Sequence, residues 1–136
     1  MHLDNQHLKT KKTMTFEQKE FAAIVRLAIS MAAADGVFAE NEKKAIALEL
    51  ARFGVSESNM PSLFAAAQAM DPADCMITVS NMSTGQKEYV AAFLGTLMMI
   101  DGEIADSEMK LWKLTSTLCG LPTMSVADAL NYMANM

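Results

Sequence analysis

Seven carboxylates in two short stretches are the side chains best placed to do chemistry in this chain. Asp35, Glu40 and Glu42 stand close together, and so do Asp101, Glu103, Asp106 and Glu108. The stretches are copies, 66 positions apart: Asp35-Gly36-Val37-Phe38-Ala39-Glu40-Asn41-Glu42 and Asp101-Gly102-Glu103-Ile104-Ala105-Asp106-Ser107-Glu108. Each reads Asp-Gly, any residue, a large apolar residue, Ala, an acid, a polar residue, Glu. Oxygen ligands gathered this way suit a hard divalent cation, bound directly or through water. Asp101, Gly102, Ile104 and Glu108 even match the second half of an EF-hand loop. The first half fails. Leu97 and Met99, or Met31 and Ala33 in the other copy, occupy positions that must supply oxygens.

Two readings of the turns stay open. In the first they are structural. Gly36 and Gly102 reverse the chain at positive φ, Phe38 and Ile104 plug the turn into the core, and Glu42 and Glu108 meet the free amides and positive dipole end of the next helix. Ala39 and Ala105 cannot cap that helix, so another acceptor is needed, and Asp35 and Asp101 are the nearest. In the second reading Asp35, Glu42, Asp101 and Glu108 form a divalent-metal site, with Glu40 and Asp106 as further candidates.

Other reactive constellations are missing from the sequence. The two histidines, His2 and His7, lie in a polar tail. Neither Ser83 nor Cys75 or Cys119 therefore has a histidine partner within the folded region, which removes triad-type nucleophilic catalysis. There is no GxGxxG and no P-loop, so an enzyme is not expected and no organic cofactor is implied. The thirteen methionines fall mostly at helical core spacing, as Met31, Met70, Met98 and Met133 do, and read as core filling. Met124, Met133 and Met136 are the ones that could line a groove for a partner helix.

The elements that must position the turns follow from composition and period. Of the 136 residues, 51% are apolar and 20% charged, a globular balance with enough length for a real core. Gly and Pro are few, Ala, Leu, Met and Glu are many, and no stretch alternates as a strand would. The net charge of −5 disfavours nucleic acid. No apolar run is long enough to span a membrane and no signal peptide is visible. Cys75 and Cys119 read as buried thiols, which suits a reducing cytoplasm.

Residues 1–14 read as a mobile polar leader, and residues 15–136 as one all-α domain of about seven helices. Thr15 with Gln18 makes a capping box for helix A, which runs to about Ala33. Helix B runs from about Glu40 to Phe53 with Ile46, Leu50 and Phe53 inward, and Gly54 ends it. Asn59 is read as the cap of helix C, with Leu63, Phe64 and Ala67. Asp71-Pro72 starts a short helix D through Met76, Ile77 and Val79. Ser83 with Gln86 caps helix E, whose stripe is Val90, Phe93, Leu94, Leu97 and Met98. Helix F is read with Leu111, Leu114 and Leu118 inward, Trp112 and Cys119 beside them, and Gly120 as its stop. Ser125 with Asp128 opens helix G with Ala129, Leu130 and Met133. The 66-residue offset also pairs Lys44 with Lys110, Ile46 with Trp112, Leu48 with Leu114 and Gly54 with Gly120. The domain is therefore expected to be two similar halves, about 16–70 and 84–136, joined by helix D at about 72–82 and packed face to face with pseudo-twofold symmetry.

Ala34-Asp35-Gly36 through Glu42 and the copy at Asp101–Glu108 resemble the signature of the tellurite-resistance TerB family, also found in the N-terminal part of DjlA-type co-chaperones. That signature is Ala-Asp-Gly, any residue, Ile, three residues, Glu. Ala39 and Ala105 replace its usual Ser or Thr, Val37-Phe38 replaces a typical Glu-Ile, and the second copy opens Ile100-Asp101. The resemblance implies an all-α fold of two halves and a non-enzymatic role in metal or tellurite and other oxyanion stress. It also implies metal chelation by the matching acids, Asp35, Glu42, Asp101 and Glu108. No His-Pro-Asp tripeptide occurs, so no J domain is present. The alternative expectation is a protein–protein scaffold, a homodimer or a binder of a partner helix, in which the acidic turns are purely structural.

Overall fold

The computed structural model describes residues 14–34, 40–100 and 104–136. Among them are seven α-helices and no strand: α1 (Gln18–Ala32), α2 (Glu40–Arg52), α3 (Met60–Ala69), α4 (Pro72–Ser80), α5 (Thr84–Leu97), α6 (Asp106–Cys119) and α7 (Val126–Ala134). A short 3-10 turn, Glu57–Asn59, leads into α3. The fold is all-α, as expected.

The helix starts carry the internal repeat into three dimensions. Gln18 and Thr84, Glu40 and Asp106, and Met60 and Val126 are each separated by the same 66 residues. Packing repeats too: α3 lies on α1 as α7 lies on α5, and α1 meets α5 to join the halves, with α4 held against α1 and α6. Ala22, Ala23, Ile24, Val25 and Ala28 of α1 and Tyr89 through Leu94 of α5 are all buried. These two central helices are apolar on most of their circumference, which is what burial between layers requires.

Local chemistry sets the boundaries. Ser83 and Gln86 form a reciprocal capping box, with Gln86 N donating to Ser83 Oγ at 3.1 Å and Ser83 N to Gln86 Oε1 at 2.9 Å. Ser125 and Asp128 repeat the arrangement, and Asp71 accepts from Ala73 N ahead of Pro72. Gly54 and Gly120 adopt φ of +90° and +67° just past α2 and α6. That left-handed turn is the inexpensive helix stop which glycine provides.

Five sequence expectations need correction. Helix α1 is capped at Glu17, whose amide donates to Glu20 Oε1 at 2.7 Å, and not at Thr15. Thr15 instead offers its carbonyl to Gln86 Nε2 at 2.8 Å, tying the chain entry to the start of α5. Asn59 does not cap α3, because it already lies in the 3-10 turn with helical φ and ψ. Ile77 faces solvent, and the inward residues of α4 are Cys75 and Val79. On α6 the inward stripe is Glu108, Trp112, Thr115 and Cys119, while Leu114 and Leu118 are exposed. A tryptophan removes far more apolar area from water than a leucine, so its burial sets the rotation of the helix. Met14, placed in the polar leader, is half-buried against the core. The rest of that leader lies outside the described residues.

The halves solve the same packing problem with different volumes. Ile29, Ile46 and Leu63 in the first half correspond by number to Gly95, Trp112 and Ala129 in the second. Trp112 is accommodated because its neighbours are small. A Cβ added at Gly95 would stand 2.7 Å from Trp112 Cζ2 and 3.0 Å from Ala129 Cβ. The indole Nε1 donates to the Ala91 carbonyl at 3.0 Å, so the ring is fixed by a polar contact as well as by packing.

Candidate functional site

The acidic turns divide in the same way in both halves. Glu40 and Asp106 open α2 and α6 and face outward. Glu40 pairs with Lys43 at 3.3 Å, with 80% of its side chain exposed, a contact worth little in water. Glu42 and Glu108, two residues further on, turn inward and are only 3% and 7% exposed. They sit in the first helical turn, where free amides and the dipole favour negative charge. A buried carboxylate without such compensation would be expensive.

Glu108 shows how the compensation works. Ala105 occupies the cap position of α6 with extended backbone, φ −72° and ψ 146°. Its methyl group cannot accept from the Glu108 amide as a Ser or Thr would, and only the reverse bond is made: Glu108 Oε1 accepts from the Ala105 amide at 3.3 Å. This is half of a capping box, the acidic half. Ile104 is half-buried against the core, as the plug position requires. Replacing Glu108 by Ala should lower stability by about 0.5–2 kcal/mol, the usual effect of a lost cap. Urea midpoints of the two proteins would measure it, and an unchanged midpoint would remove the capping role.

Asp35, Asp101 and Glu103, together with Gly36, Gly102 and Phe38, lie outside the described residues. Among the described residues no group of three or more Asp, Glu, Cys or His side chains is arranged to hold a metal ion. The four proposed ligands are thus placed only in part: Glu42 and Glu108 are buried at equivalent helix starts. Leu97 and Met31, which stand at the would-be ligand positions of an EF-hand, are core residues.

A second polar feature was not read from the sequence. Tyr89, on α5, is buried, and its hydroxyl donates to Glu49 Oε1 of α2 at 2.7 Å. Arg52 Nη1 donates to Glu49 Oε2 at 2.9 Å. Around this relay stand Phe16, Phe53 and Phe93, with ring centroids 5.7, 5.0 and 5.9 Å from Tyr89. The cavity they line measures only about 10 Å³, room for a single water at most. It is a packed seam between the halves. Glu49 was the available signal, since it interrupts the inward stripe of Ile46, Leu50 and Phe53.

The two cysteines are free and buried. Burial pushes the Cys75 thiol up to about 11, with the nearby Cys119 acting in the same direction. Burial likewise raises Cys119, and burial together with Glu49 raises Tyr89. These groups are neutral when protonated, and the folded state binds their protons more tightly than the unfolded chain does. Their stabilising effect is complete below the ordinary thiol and phenol values of 9.0 and 10.0 and is lost as pH climbs beyond them. Urea midpoints should hold steady to about pH 8.5 and then fall, each group contributing up to about 1.4 kcal/mol per pH unit. A flat profile to pH 11 would contradict the burial of these groups.

No helix among the described residues is long and apolar enough to cross a membrane. No protein-family model and no curated protein matches the chain. A solved structure does: PG1108 from Porphyromonas gingivalis, described as a protein of unknown function. It is 40% identical with a TM-score of 0.79, the match covering 90% of this chain and 99% of that one.

Proposed function

This chain belongs to the same family as PG1108, and from that premise we propose that it is a non-enzymatic interaction module of TerB-like architecture. The carrying observation is a pair of outward leucines. Leu48 on α2 and Leu114 on α6 are 68% and 56% exposed and occupy equivalent positions of the repeat, each four residues after an exposed lysine, Lys44 and Lys110. A single exposed leucine needs no explanation, but an outward leucine kept at the same position of two diverged repeats supports a use on the surface. Under this reading the acidic turns fasten the entries of α2 and α6, and the chain acts in the cytoplasm by binding protein. The test is quantitative affinity capture from cell extract with wild type and the Leu48→Glu/Leu114→Glu variant. Specific partners, or further copies of the chain, should be lost from the variant. Identical capture by both proteins would end the proposal.

A second reading keeps Asp35, Glu42, Asp101 and Glu108 as a divalent-cation site in metal or tellurite stress, with Glu40 and Asp106 in support. The placement of Glu42 and Glu108 at equivalent helix starts supports it, because two of the four acids then stand at matching positions of the repeat, and carboxylates are the donors a hard cation takes. Melting of metal-free protein with millimolar Ca²⁺, Mg²⁺, Mn²⁺ or Zn²⁺ tests it. A ligand at about 100 times its dissociation constant adds about 2.7 kcal/mol. The shift should vanish in Asp35→Asn/Asp101→Asn, and no shift with any of the four ions would exclude it.

A further inference from the structure

We propose that residues 14–16 form a detachable strap whose Phe16 plugs an aromatic slot between the halves, a slot that takes a neutral ring of phenyl size when the strap lifts. The proposal does not depend on the interaction-module reading. The strap belongs to no helix and joins α1 through Glu17. Met14 rests half-buried against the core, and Thr15 is exposed. Phe16 reaches inward. Its ring lies 5.5 Å from Phe21 on α1, 5.2 Å from Phe53 just past α2 and 5.7 Å from Tyr89 on α5. It is tilted or edge-on to each, the arrangements in which aromatic pairs attract. One side chain from outside the helices thus fills a gap between three of them, and about 10 Å³ is left beside it.

The walls of the slot are braced without the plug. Phe53 stands edge-on to Tyr89 at 5.0 Å, Tyr89 stacks on Phe93 at 5.9 Å, and Phe21 lies 6.2 Å from Phe53. The Tyr89 hydroxyl is held by Glu49, and Glu49 by Arg52. None of these contacts involves Phe16. The polar tie of the strap is equally dispensable to the helices. Gln86 gives its Nε2 to the Thr15 carbonyl, but its Oε1 serves the Ser83 amide, so the cap of α5 survives release of the strap. Glu17 still caps α1 through Glu20. The exposed Thr15 then bonds water in place of Gln86, an exchange of small net cost. A segment whose surroundings hold together without it opens locally, at a lower free energy than global unfolding.

The vacated slot selects its occupant by chemistry. Its walls are rings and aliphatic side chains, and its carboxylate is already paired with Tyr89 and Arg52. A neutral aromatic ring recovers the contacts of Phe16, whereas a charged one would lose its hydration without a free partner. Any such ring competes with Phe16, so its apparent affinity is lowered by the fraction of time the strap is open.

Two measurements on the full chain test this. Thermolysin cuts ahead of apolar residues, so the Thr15–Phe16 bond is a target when Phe16 leaves the slot. Cleavage there, read by mass, should proceed below the urea concentrations that unfold the chain and depend little on urea. Bonds within α1 and α5 should be cut only with global unfolding. In the second measurement, benzene should raise the melting temperature of Phe16→Ala, and its dissociation constant for wild type should be about tenfold weaker or more. Phe16→Leu, which keeps part of the plug, should fall between and serves if Phe16→Ala does not fold. Benzylammonium should bind far more weakly than benzene. Cleavage at Thr15–Phe16 that waits for global unfolding overturns the strap. A folded Phe16→Ala or Phe16→Leu chain indifferent to benzene overturns the slot, and equal binding of benzylammonium overturns its preference for a neutral ring.

Discussion

Trp112→Ala should cost about 3–5 kcal/mol of folding stability, the upper range for removing a buried aromatic ring. Trp112 is 4% exposed, donates to the Ala91 carbonyl, and lies where α5, α6 and α7 converge on Gly95 and Ala129. Relaxation cannot readily fill the void, since the smallest residues of the second half surround it. Chemical denaturation measures the loss, and a cost below about 1 kcal/mol would mean the ring is not the packing centre. Gly95→Ala gives the reciprocal test. Its new methyl group meets the indole at 2.7 Å, so overpacking should cost about 1–3 kcal/mol. In the Trp112→Phe background the added methyl should cost less, because the smaller ring vacates the space it needs. Equal costs in both backgrounds would place the strain elsewhere.

Tyr89→Ala is the second large effect, again about 3–5 kcal/mol. This side chain belongs to α5 in the second half, yet its rings and polar partner come largely from the first: Phe16, Phe53 and Glu49. Its removal opens the seam between the halves and leaves Glu49 with Arg52 alone. Tyr89→Phe isolates the polar part. It keeps the ring contacts and deletes the hydroxyl, so about 1–2 kcal/mol is expected for a partly buried bond to a carboxylate. The two halves should still unfold together in wild type, since α1 and α5 share one core. If Tyr89→Ala instead produced two separate transitions, the seam would be the source of their cooperativity.

Much of the candidate site depends on how α6 is rotated about its axis, and the sequence held that answer in a place easily passed over. Counting leucines favours Leu111, Leu114 and Leu118 as the inward stripe. The repeat says otherwise: Ile46 corresponds to Trp112 and Leu48 to Leu114, and with Ile46 inward the equivalent Trp112 must be inward too. The structure follows the repeat. Glu42 and Glu108 then fall on the inward side by the same rule, one turn ahead of Ile46 and Trp112.

Features that depend on near neighbours are legible in the chain. The seven helices and their order, the capping boxes at Ser83 and Ser125, the cap at Asp71 and the glycine stops at Gly54 and Gly120 all rest on residues within four positions of one another. Their chemistry is local and therefore readable. Long-range packing settles the rest: Thr15 serves α5 through Gln86, Glu49 receives the Tyr89 hydroxyl, Gly95 makes room for Trp112, and Ile77 is left on the surface. Each of these joins residues from different helices. Side-chain periodicity tells a helix which way to turn its apolar face, but not which neighbour will meet it or how much volume that neighbour leaves.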